Sequence, residues 1–402
     1  MWEQRFQGID NWEKEEDSLK GIRQRARAHC GVVDPLNRKS EAYRYLPLSR
    51  WEATSWTCAL PPKLSEFSVP PSLGASLVFV DGYFCPDLSD FSAWPSSVEV
   101  LPLSKAMKSH RSLLQHRFQT GLLEETDFLA ALNLCVHGEG AFIYVPPRLC
   151  LAEPLRCFYL TSKGDQKAPV ISSPRLHLFL GAQAMLKMDI VDIEKRQSTC
   201  LNAVIDIAME EESQCKVHRE FAGAETQWYF SALRATLKKG AVLESTSRSL
   251  GSACVRQADQ VALVGEGAEV QLRGLTMLEG NKHSHAHIRV DHRAPHTQST
   301  QQFKTLLDGA SQSSFEGKIL VRKEAQKTQA YQLNNNLLLD DRAVANSKPN
   351  LEIFADDVKA SHGVTVTQLR QDELFYLRSR GLSEAAAKRL LVEGFCQLTP
   401  VA

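Results

Sequence analysis

Residues 333–380 read LNNNLLLDDRAVANSKPNLEIFADDVKASHGVTVTQLRQDELFYLRSR, and this stretch decides how the fold is predicted. Short apolar segments at 337–339 and 351–354 are separated by turn-forming residues, namely Asp340-Asp341 and Lys348-Pro349-Asn350. Apolar segments bounded by Asp, Asn and Pro are typical of short β-strands. The stretch therefore predicts strand structure as far as His362.

The second half of the stretch predicts a change from strand to helix just after His362. This histidine stands between a serine and a glycine at the end of the strand-like run. Asp372 and Glu373 then place negative charge in the first turn of a helix, and Gly381 suits the position that ends it. A polar residue at such a junction is a candidate functional residue, because the backbone there leaves the packed body of the protein.

The bulk composition fits a folded protein of two or three domains. The chain has 402 residues, of which 43% are apolar and 23% charged, so it can bury a core. Equal numbers of basic and acidic residues, 47 each, disfavour broad nucleic-acid binding, which normally requires a basic protein. No apolar run approaches the ~20 residues of a membrane-spanning helix, and the first 20 residues are charged throughout. We therefore expect a cytoplasmic protein with neither a nucleic-acid nor a membrane partner.

Many short β-prone segments follow one another between residues 141 and 366, with few helical stretches between them. They include AFIYVPP, LNAVIDIAM, WYFSALRATL, HIRV, KILV and LEIF. Their number indicates a sandwich, a barrel or a β-solenoid. The length of the run, its glycine turns without a strict repeat and the possible ladder Asn334-Asn335-Asn336 favour a parallel β-solenoid.

Three domains are predicted on this basis. Residues 1–140 are expected to form a mixed helical and small-sheet domain with a hairpin at Asp81-Gly82, residues 141–366 the β-solenoid, and residues 367–402 a small helical domain. The helical domain has an apolar face that it is too small to bury alone. It must therefore dock on its own body or on a partner.

Motifs of nucleotide hydrolysis and of common hydrolases are absent from the sequence. Gly317-Lys318 comes closest to a P-loop, but Ile319 follows where Ser or Thr is needed. Neither G-x-S-x-G nor H-E-x-x-H occurs. The ten cysteines form no C-x-x-C pair, so they are predicted to be thiols, most of them buried, without a structural zinc site.

The densest cluster of candidate metal ligands is HSHAHIRVDHRAPH, residues 283–296. His283, His285 and His287 alternate, so on a strand they would share one face. One interpretation is a transition-metal site on imidazoles. The other, which is favoured, is a polar strand face, because three stacked imidazoles need a converging fourth ligand and the sequence specifies none.

Three segments in the last 90 residues resemble the SufB/SufD family of iron–sulfur cluster assembly proteins, specifically its SufD branch. They are GKILVRKEAQKTQAYQLNNNLLL (317–339), KPNLEIFADDVKASHGVTVTQL (348–369) and LFYLRSRGLSEAAAKRLLVEGF (374–395). HIRVDHRAPHTQS (287–299) fits the same family, and weaker likeness extends to RKSEAYRYLPL (38–48), LVFVDGYF (77–84) and FLAALN (128–133). The resemblance thus spans most of the chain, and ADDVKASHG and LFYLRSRG are its most specific strings.

The resemblance implies a mainly β fold, with a right-handed parallel β-helix core between an N-terminal helical (α/β) domain and a small C-terminal helical domain. Family members work as a scaffold complex in which SufD pairs with SufB, and two copies of the ATPase SufC bind the C-terminal helical parts. This chain is therefore expected to be a non-catalytic scaffold subunit beside a SufB-like subunit and a SufC-like ABC ATPase. Its candidate docking surface for the ATPase consists of Leu374, Phe375, Tyr376, Leu377, Arg378 and Arg380.

The family also implies a role for His362. The histidine of the S-H-G motif lies at the SufB–SufD interface and acts with a cysteine of SufB in forming the nascent cluster, and neutral imidazole suits iron beside a thiolate. Relatives often carry cysteine two residues earlier, where this chain has Ala360, so that thiol cannot hold a cluster here. No cysteine matches the SufB cysteine that receives sulfur. The resemblance thus implies a transient iron–sulfur cluster at the partner interface and no tightly bound cofactor in the isolated chain.

Two other functions remain open. A carbohydrate-active β-helix enzyme would use paired carboxylates, and Asp340-Asp341 and Asp356-Asp357 are the candidate pairs, although adjacent strand residues face opposite sides. A stand-alone metal-binding protein would use the three alternating histidines. The sequence also leaves open whether the chain forms a homodimer in isolation, which donor supplies iron, and whether a flavin takes part.

Overall fold

The computed structural model describes residues 2–10, 19–33, 36, 39–63, 67, 74–162, 169–193 and 199–397, so Arg38 of the upstream likeness lies outside the described residues. In chain order, strands β1–β22 are Phe6–Gln7, Trp56–Cys58, Ser76–Val80, Tyr83–Phe84, Glu99–Pro102, Ala141–Val145, Leu155–Leu160, Val170–Ser172, Arg175–Leu180, Met185–Ile193, Thr199–Met209, Gln214–Phe221, Trp228–Leu237, Val242–Ser249, Cys254–Leu263, Glu269–Leu278, His283–His292, Gln298–Leu307, Gln312–Val321, Gln329–Leu338, Val344–Ile353 and Lys359–Gln368. Helices α1–α7 are Lys20–Cys30, Leu48–Glu52, Leu103–Ser109, Arg111–Glu124, Phe128–Val136, Gln371–Ser379 and Glu384–Cys396.

Two long, mostly parallel sheets form the core. From β10 onward consecutive strands alternate between the sheets: β10 to β22 with even numbers lie in a 10-stranded sheet, and β11 to β21 with odd numbers in a 12-stranded sheet. All pairs within these two runs are parallel. The chain therefore winds as a coil that adds one strand to each sheet per turn, which confirms the predicted parallel β-solenoid.

The coil has no fixed period, because its turns vary in length. In-register partners are separated by 26 residues between Trp228 and Cys254, but by 32 residues between Gln312 and Val344. Many turns between the sheets contain a residue with left-handed backbone angles. In some turns it is a glycine, such as Gly267 with φ 68°, and in others it is not, such as His296 with φ 60°. Insertions in such surface turns are tolerated, so the repeat is invisible in the sequence although the strands are regular.

Several strands are longer than the apolar pattern predicts. HIRV lies within the second part of a ten-residue strand, KILV ends another, and LEIF overlaps the end of a third. The first halves of these strands are mostly polar. The assignment of Lys348-Pro349-Asn350 to a turn is wrong, because these residues lie inside β21. Strand β21 is the edge of its sheet, and an edge strand tolerates a proline, whose missing N–H can face the unpaired side.

The N-terminal region packs on the outer face of the 12-stranded sheet. The predicted hairpin is confirmed: β3 and β4 are antiparallel around Asp81 and Gly82, which both have positive φ angles of 49° and 85°. Strands β2 and β3 pair with β8 and β7, so residues before 140 extend both sheets. The predicted boundaries at 140 and 366 themselves remain predictions.

Helix α6 ends and helix α7 begins at the predicted residues. Gly381, with φ 93°, follows α6, and the hydroxyl of Ser383 accepts a hydrogen bond from the backbone N–H of Ala386 at the start of α7. Lys304 of β18 holds the other end of α7: its Nζ donates to the carbonyls of Phe395 at 2.9 Å and Gln397 at 2.6 Å. The helical unit is thus fastened to the solenoid at its C-terminal end.

The ten cysteines are all free thiols, and all except Cys150 and Cys396 are buried, as predicted. No helix in the described part of the chain is long and apolar enough to cross a lipid bilayer.

Candidate functional site

One column of inward-facing side chains in the solenoid ends at His362. In-register pairing places Leu272, Gln301, Gln332 and His362 at equivalent positions of β16, β18, β20 and β22. Gln301 and Gln332 are buried, and Nε2 of Gln332 donates to Oε1 of Gln301 at 2.9 Å. Ala360 packs against an interior apolar cluster, and His362 lies two residues on, so it points to the same side. His362 therefore lies over the polar end of the solenoid interior.

His362 lies within a strand, so the predicted strand-to-helix junction at this residue is wrong. Strand β22 continues to Gln368, and α6 begins at Gln371. The ladder to β20 continues past His362 as far as Gln368. The side-chain amides of Asn335 and Asn336 also donate to the hydroxyl and carbonyl of Thr365. The imidazole is exposed, because no described strand follows β22 in its sheet. Since it makes no hydrogen bond with the described residues, both ring nitrogens are available.

Strands β21 and β22 together form what we call the open end of the solenoid. Each is the last strand of its sheet in the described part of the chain, where one hydrogen-bonding edge has no strand partner. Val364 and Val366, which share the inward-facing side of β22 with His362, are 38% and 51% exposed, and Ile353 of β21 is 39% exposed. Solenoids need a polar cap, and free edges normally need protection. An apolar, uncapped end among the described residues therefore indicates a protein-binding surface.

Five of the six predicted ATPase-docking residues lie on α6, and Arg380 caps its C-terminus. They differ in exposure. Leu374 is only 6% exposed and packs within this chain, whereas Phe375 and Tyr376 are 75% and 58% exposed. The others are half-buried or exposed: Leu377, Arg378 and Arg380. The guanidinium of Arg380 lies over the Tyr376 ring at 5.6 Å. The helix therefore offers an aromatic and basic surface built around Phe375 and Tyr376.

The three alternating histidines share one face of β17, as predicted, under the N-terminal region. The rings of His283 and His285 are stacked with centroids 5.9 Å apart, and Nδ1 of His285 hydrogen-bonds to Ser314 Oγ at 2.8 Å. His287 Nε2 lies 3.9 Å from a carboxylate oxygen of Glu316. Within the described residues no group of three or more His, Cys, Asp or Glu side chains could hold a metal ion. The geometry favours the polar strand face, and a metal site here stays a prediction.

Burial of these histidines makes stability depend on pH. Desolvation, with His283 and Arg256 nearby, lowers the pKa of His285 to about 3, and desolvation lowers that of His287 to about 4. In the unfolded chain both pKa values return to about 6.5, so between these limits the unfolded state binds more protons. The free energy of unfolding is therefore highest above pH 6.5 and falls as the pH decreases towards 4.

We expect His285→Asn to reduce this acid sensitivity by up to about 1.4 kcal/mol per pH unit below pH 6.5. Urea denaturation at pH 5, 6 and 7.5 measures the free energy of unfolding directly. The exposed histidine His116 provides a matched control, His116→Asn, whose pH dependence should follow the unsubstituted chain. An equally steep loss of stability in both variants would contradict the prediction.

The candidate carboxylate pairs lie in turns and not on a strand face. Asp340 and Asp341 follow β20, and Asp356 and Asp357 lie between β21 and β22. Arg342 binds Asp340 through two hydrogen bonds of 3.0 and 2.8 Å, which lowers the pKa of Asp340 to about 2. A general acid for glycoside hydrolysis needs a raised pKa, so Asp340 is unsuited to that role.

Comparison with known proteins agrees with this architecture. The family model described as "SUF system FeS cluster assembly, SufBD core domain" matches residues 158–395, and "SufBD protein N-terminal region" matches residues 3–157. The chain belongs to the SufBD family. A SufBD family protein of Synechocystis is 28% identical over 395 residues, or 95% of this chain and 86% of the relative.

Two relatives with specific names support the SufD branch. SufD of Escherichia coli is 29% identical over 366 residues, which cover 89% of this chain and 83% of SufD. SufB of Bacillus subtilis is 22% identical over 298 residues, which cover 73% of this chain and 62% of SufB. This SufBD family protein is thus similar to SufD along more of its length than to SufB.

Sequence reasoning missed the valines beside His362 in this SufBD family protein. The alternation Ala360, His362, Val364, Val366 was the available signal, because residues two apart on a strand share a face. It did not show that this face would be uncapped, since that depends on β22 being the last strand of its sheet.

Proposed function

We propose that this chain is a non-catalytic subunit of a SufBCD-type scaffold on which iron–sulfur clusters are assembled. Its open end would pair with a SufB-like subunit, and α6 would hold a SufC-like ABC ATPase. Membership of an iron–sulfur cluster assembly family supports the general role. The observation that carries the finer proposal is the exposed imidazole of His362, which makes no hydrogen bond with the described residues and lies beside the apolar residues of the open end.

The open end suits a SufB-like partner for two physical reasons. Its free strand edges can accept hydrogen bonds from another β-structure, as in strand addition. Its valines would become buried on association, which supplies apolar area. His362 would then lie in the interface, where a neutral imidazole can act as an iron ligand beside a thiolate supplied by the partner. Iron and sulfide are the cargo of this site and not its resident cofactors.

The helical unit suits transmission of movement from an ATPase. Helix α6 begins three residues after the last residue of β22, so a shift of the helix acts directly on the strand that carries His362. Lys304 restrains the far end of the unit through the carbonyls of Phe395 and Gln397. The chain has no P-loop of its own, so the ATP would be hydrolysed by the partner.

His362→Ala tests the cluster-assembly site. We expect the variant to fold and assemble normally, because the substitution removes only an exposed side chain that makes no hydrogen bond with the described residues. Loss of a metal ligand should reduce metal affinity at least as much as loss of the group that hydrogen-bonds to that ligand. Cluster formation should therefore fall about tenfold or more. Iron–sulfur absorbance of the complex co-expressed with SufB-like and SufC-like subunits measures the yield.

The matched control is His116→Ala, which removes an exposed histidine from α4, outside the open end. It should leave cluster yield unchanged. A normal cluster yield in the His362→Ala complex would overturn the assignment of His362 to the cluster-assembly site. Loss of the complex itself would show instead that His362 is needed for subunit association.

Phe375→Asp tests ATPase docking. The side chain is 75% exposed, so the chain should fold, but burying a carboxylate at an apolar contact should weaken binding about tenfold or more. Pull-down and calorimetric titration with the SufC-like subunit measure this loss. Leu123→Asp, at an 85% exposed position of α4, is the control and should bind normally. Equal affinity of both variants would contradict docking at α6.

The same purified proteins distinguish the other possible functions and assembly states of the chain. A homodimer of the isolated chain through its open ends would be displaced by the SufB-like subunit. Metal analysis of the isolated chain should find little bound metal, whereas a stand-alone histidine site would retain it. Polysaccharide hydrolysis or cleavage by the purified chain would favour the enzyme, and the cytoplasmic location stays a prediction that fractionation can check.

A further inference from the structure

A cavity of about 790 Å³ lies on the outer face of the 12-stranded sheet, and none of its lining residues belongs to the open end or to α6. Helix α4 and the segment joining it to α5 form one wall, and strands β11, β13, β15 and β17 form the floor. Part of the lining is apolar, including Leu122, Ala235 and Ala262. The volume is that of a small-molecule site, and the proposed function makes no use of it.

Most charges that line the cavity are already paired. Six arginines and five carboxylates contribute to the lining. Arg117 Nε donates to Asp206 Oδ1 at 2.6 Å. Arg234 donates through Nε and Nη2 to the two carboxylate oxygens of Glu125, both at 2.8 Å. Three further arginines have polar partners: Arg175 with Asn133, Arg293 with Glu124 and Asp291, and Arg322 with Asp291. These groups form rigid walls and have little capacity for a further ligand.

Arg289 is the exception among the arginines. It lies on β17, the last strand of the floor, beside Gln260 of β15 and Lys318 of β19. Its guanidinium has no carboxylate or hydrogen-bond partner among the residues that the structure describes, whereas Lys318 is occupied by Glu352 at 2.7 Å. Glu324, the lining carboxylate without a cationic partner among those residues, lies in the exposed turn after β19. The cavity floor thus presents one half-buried cation with five unused N–H donors.

We propose that this cavity binds a small organic oxyanion whose carboxylate or phosphate is held by Arg289 and whose apolar body lies against α4 and Ala262. The planar guanidinium fork matches both carboxylate and phosphate oxygens in a bidentate arrangement. The paired arginines around it keep the site close to neutral, so a ligand with a single anionic group complements it better than a polyanion.

Fluorescence titration of the full chain with 1-anilinonaphthalene-8-sulfonate tests the proposal, because this probe has one oxyanion and an apolar body. We expect saturable binding that Arg289→Gln weakens about tenfold or more. The uncharged probe N-phenyl-1-naphthylamine should bind both proteins alike. Arg248→Gln is the matched control, since it removes an exposed arginine from the opposite sheet, and it should bind like the unsubstituted chain.

Ala262→Phe should fill the cavity and remove the binding of both probes, with circular dichroism to confirm the fold. Competition by dodecanoate against dodecyl phosphate then distinguishes the carboxylate from the phosphate. Arg289 is half-exposed, so its replacement should leave the fold intact. Identical sulfonate affinity in Arg289→Gln and the unsubstituted chain would therefore overturn the proposal, whatever the Ala262 variant does.

Discussion

Val364→Asp combined with Val366→Asp is expected to abolish pairing with a SufB-like subunit. Both valines are substantially exposed in the isolated chain, at 38% and 51%, so the new carboxylates remain solvated and folding should be preserved. In the complex they would be buried without a partner, which costs about 3–5 kcal/mol for one uncompensated charge. That cost corresponds to a complex at least roughly 100-fold weaker.

Size-exclusion chromatography and calorimetric titration with the SufB-like subunit measure the affinity, and circular dichroism checks the fold. A double variant with Ser or Thr at the two positions separates loss of apolar area from the charge effect, and should weaken binding less. The control Leu123→Asp changes an exposed apolar residue of α4 and should bind normally. Undiminished affinity of the aspartate variant would place the partner elsewhere than at the open end.

Asp259→Leu is expected to destabilise the solenoid by about 3–5 kcal/mol. Asp259 and Arg219 form an ion pair across the interior between β15 and β12, with side-chain exposures of 0% and 1% and bonds of 2.9 and 2.5 Å. Gln257 Nε2 donates a further bond of 2.7 Å to Asp259. Removing the carboxylate leaves the guanidinium buried without its counter-ion, and the desolvation cost of Arg219 is then uncompensated.

The double variant Arg219→Met with Asp259→Leu should recover most of this loss, because an apolar pair of similar volume carries no desolvation cost. Urea denaturation of both single variants and the double variant gives the coupling free energy. Glu210→Gln breaks the exposed pair with Lys238, at 2.7 Å, and should cost less than about 1 kcal/mol. A double variant less stable than Asp259→Leu would contradict this account.

The strand content, the hairpin and the helix ends could be predicted because each depends on neighbours in sequence. Apolar alternation indicated the strands, Asp81-Gly82 the hairpin, and Gly381 and Ser383 the helix boundaries. The polar halves of the ten-residue strands could not be predicted in this way. Gln332, Asn334 and Asn336 are buried, and their side-chain amides donate hydrogen bonds to the coils above and below. The sequence around each residue does not show those partners, because they lie about one coil away.

The sequence by itself determined that this is a SufBD family chain with a parallel β-solenoid and two C-terminal helices, since motifs and periodicity are local properties. Only the tertiary structure decided which side chains meet. The in-register stacking of residues 26 to 32 positions apart put His362 at the end of an interior column. It also left Arg289 in a cavity floor without a partner among the residues that the structure describes. Turn lengths vary from coil to coil, so the residues that stack on one another cannot be found by counting a fixed number of positions along the chain. The hydrogen-bonded ladder between the strands decides which residues stack.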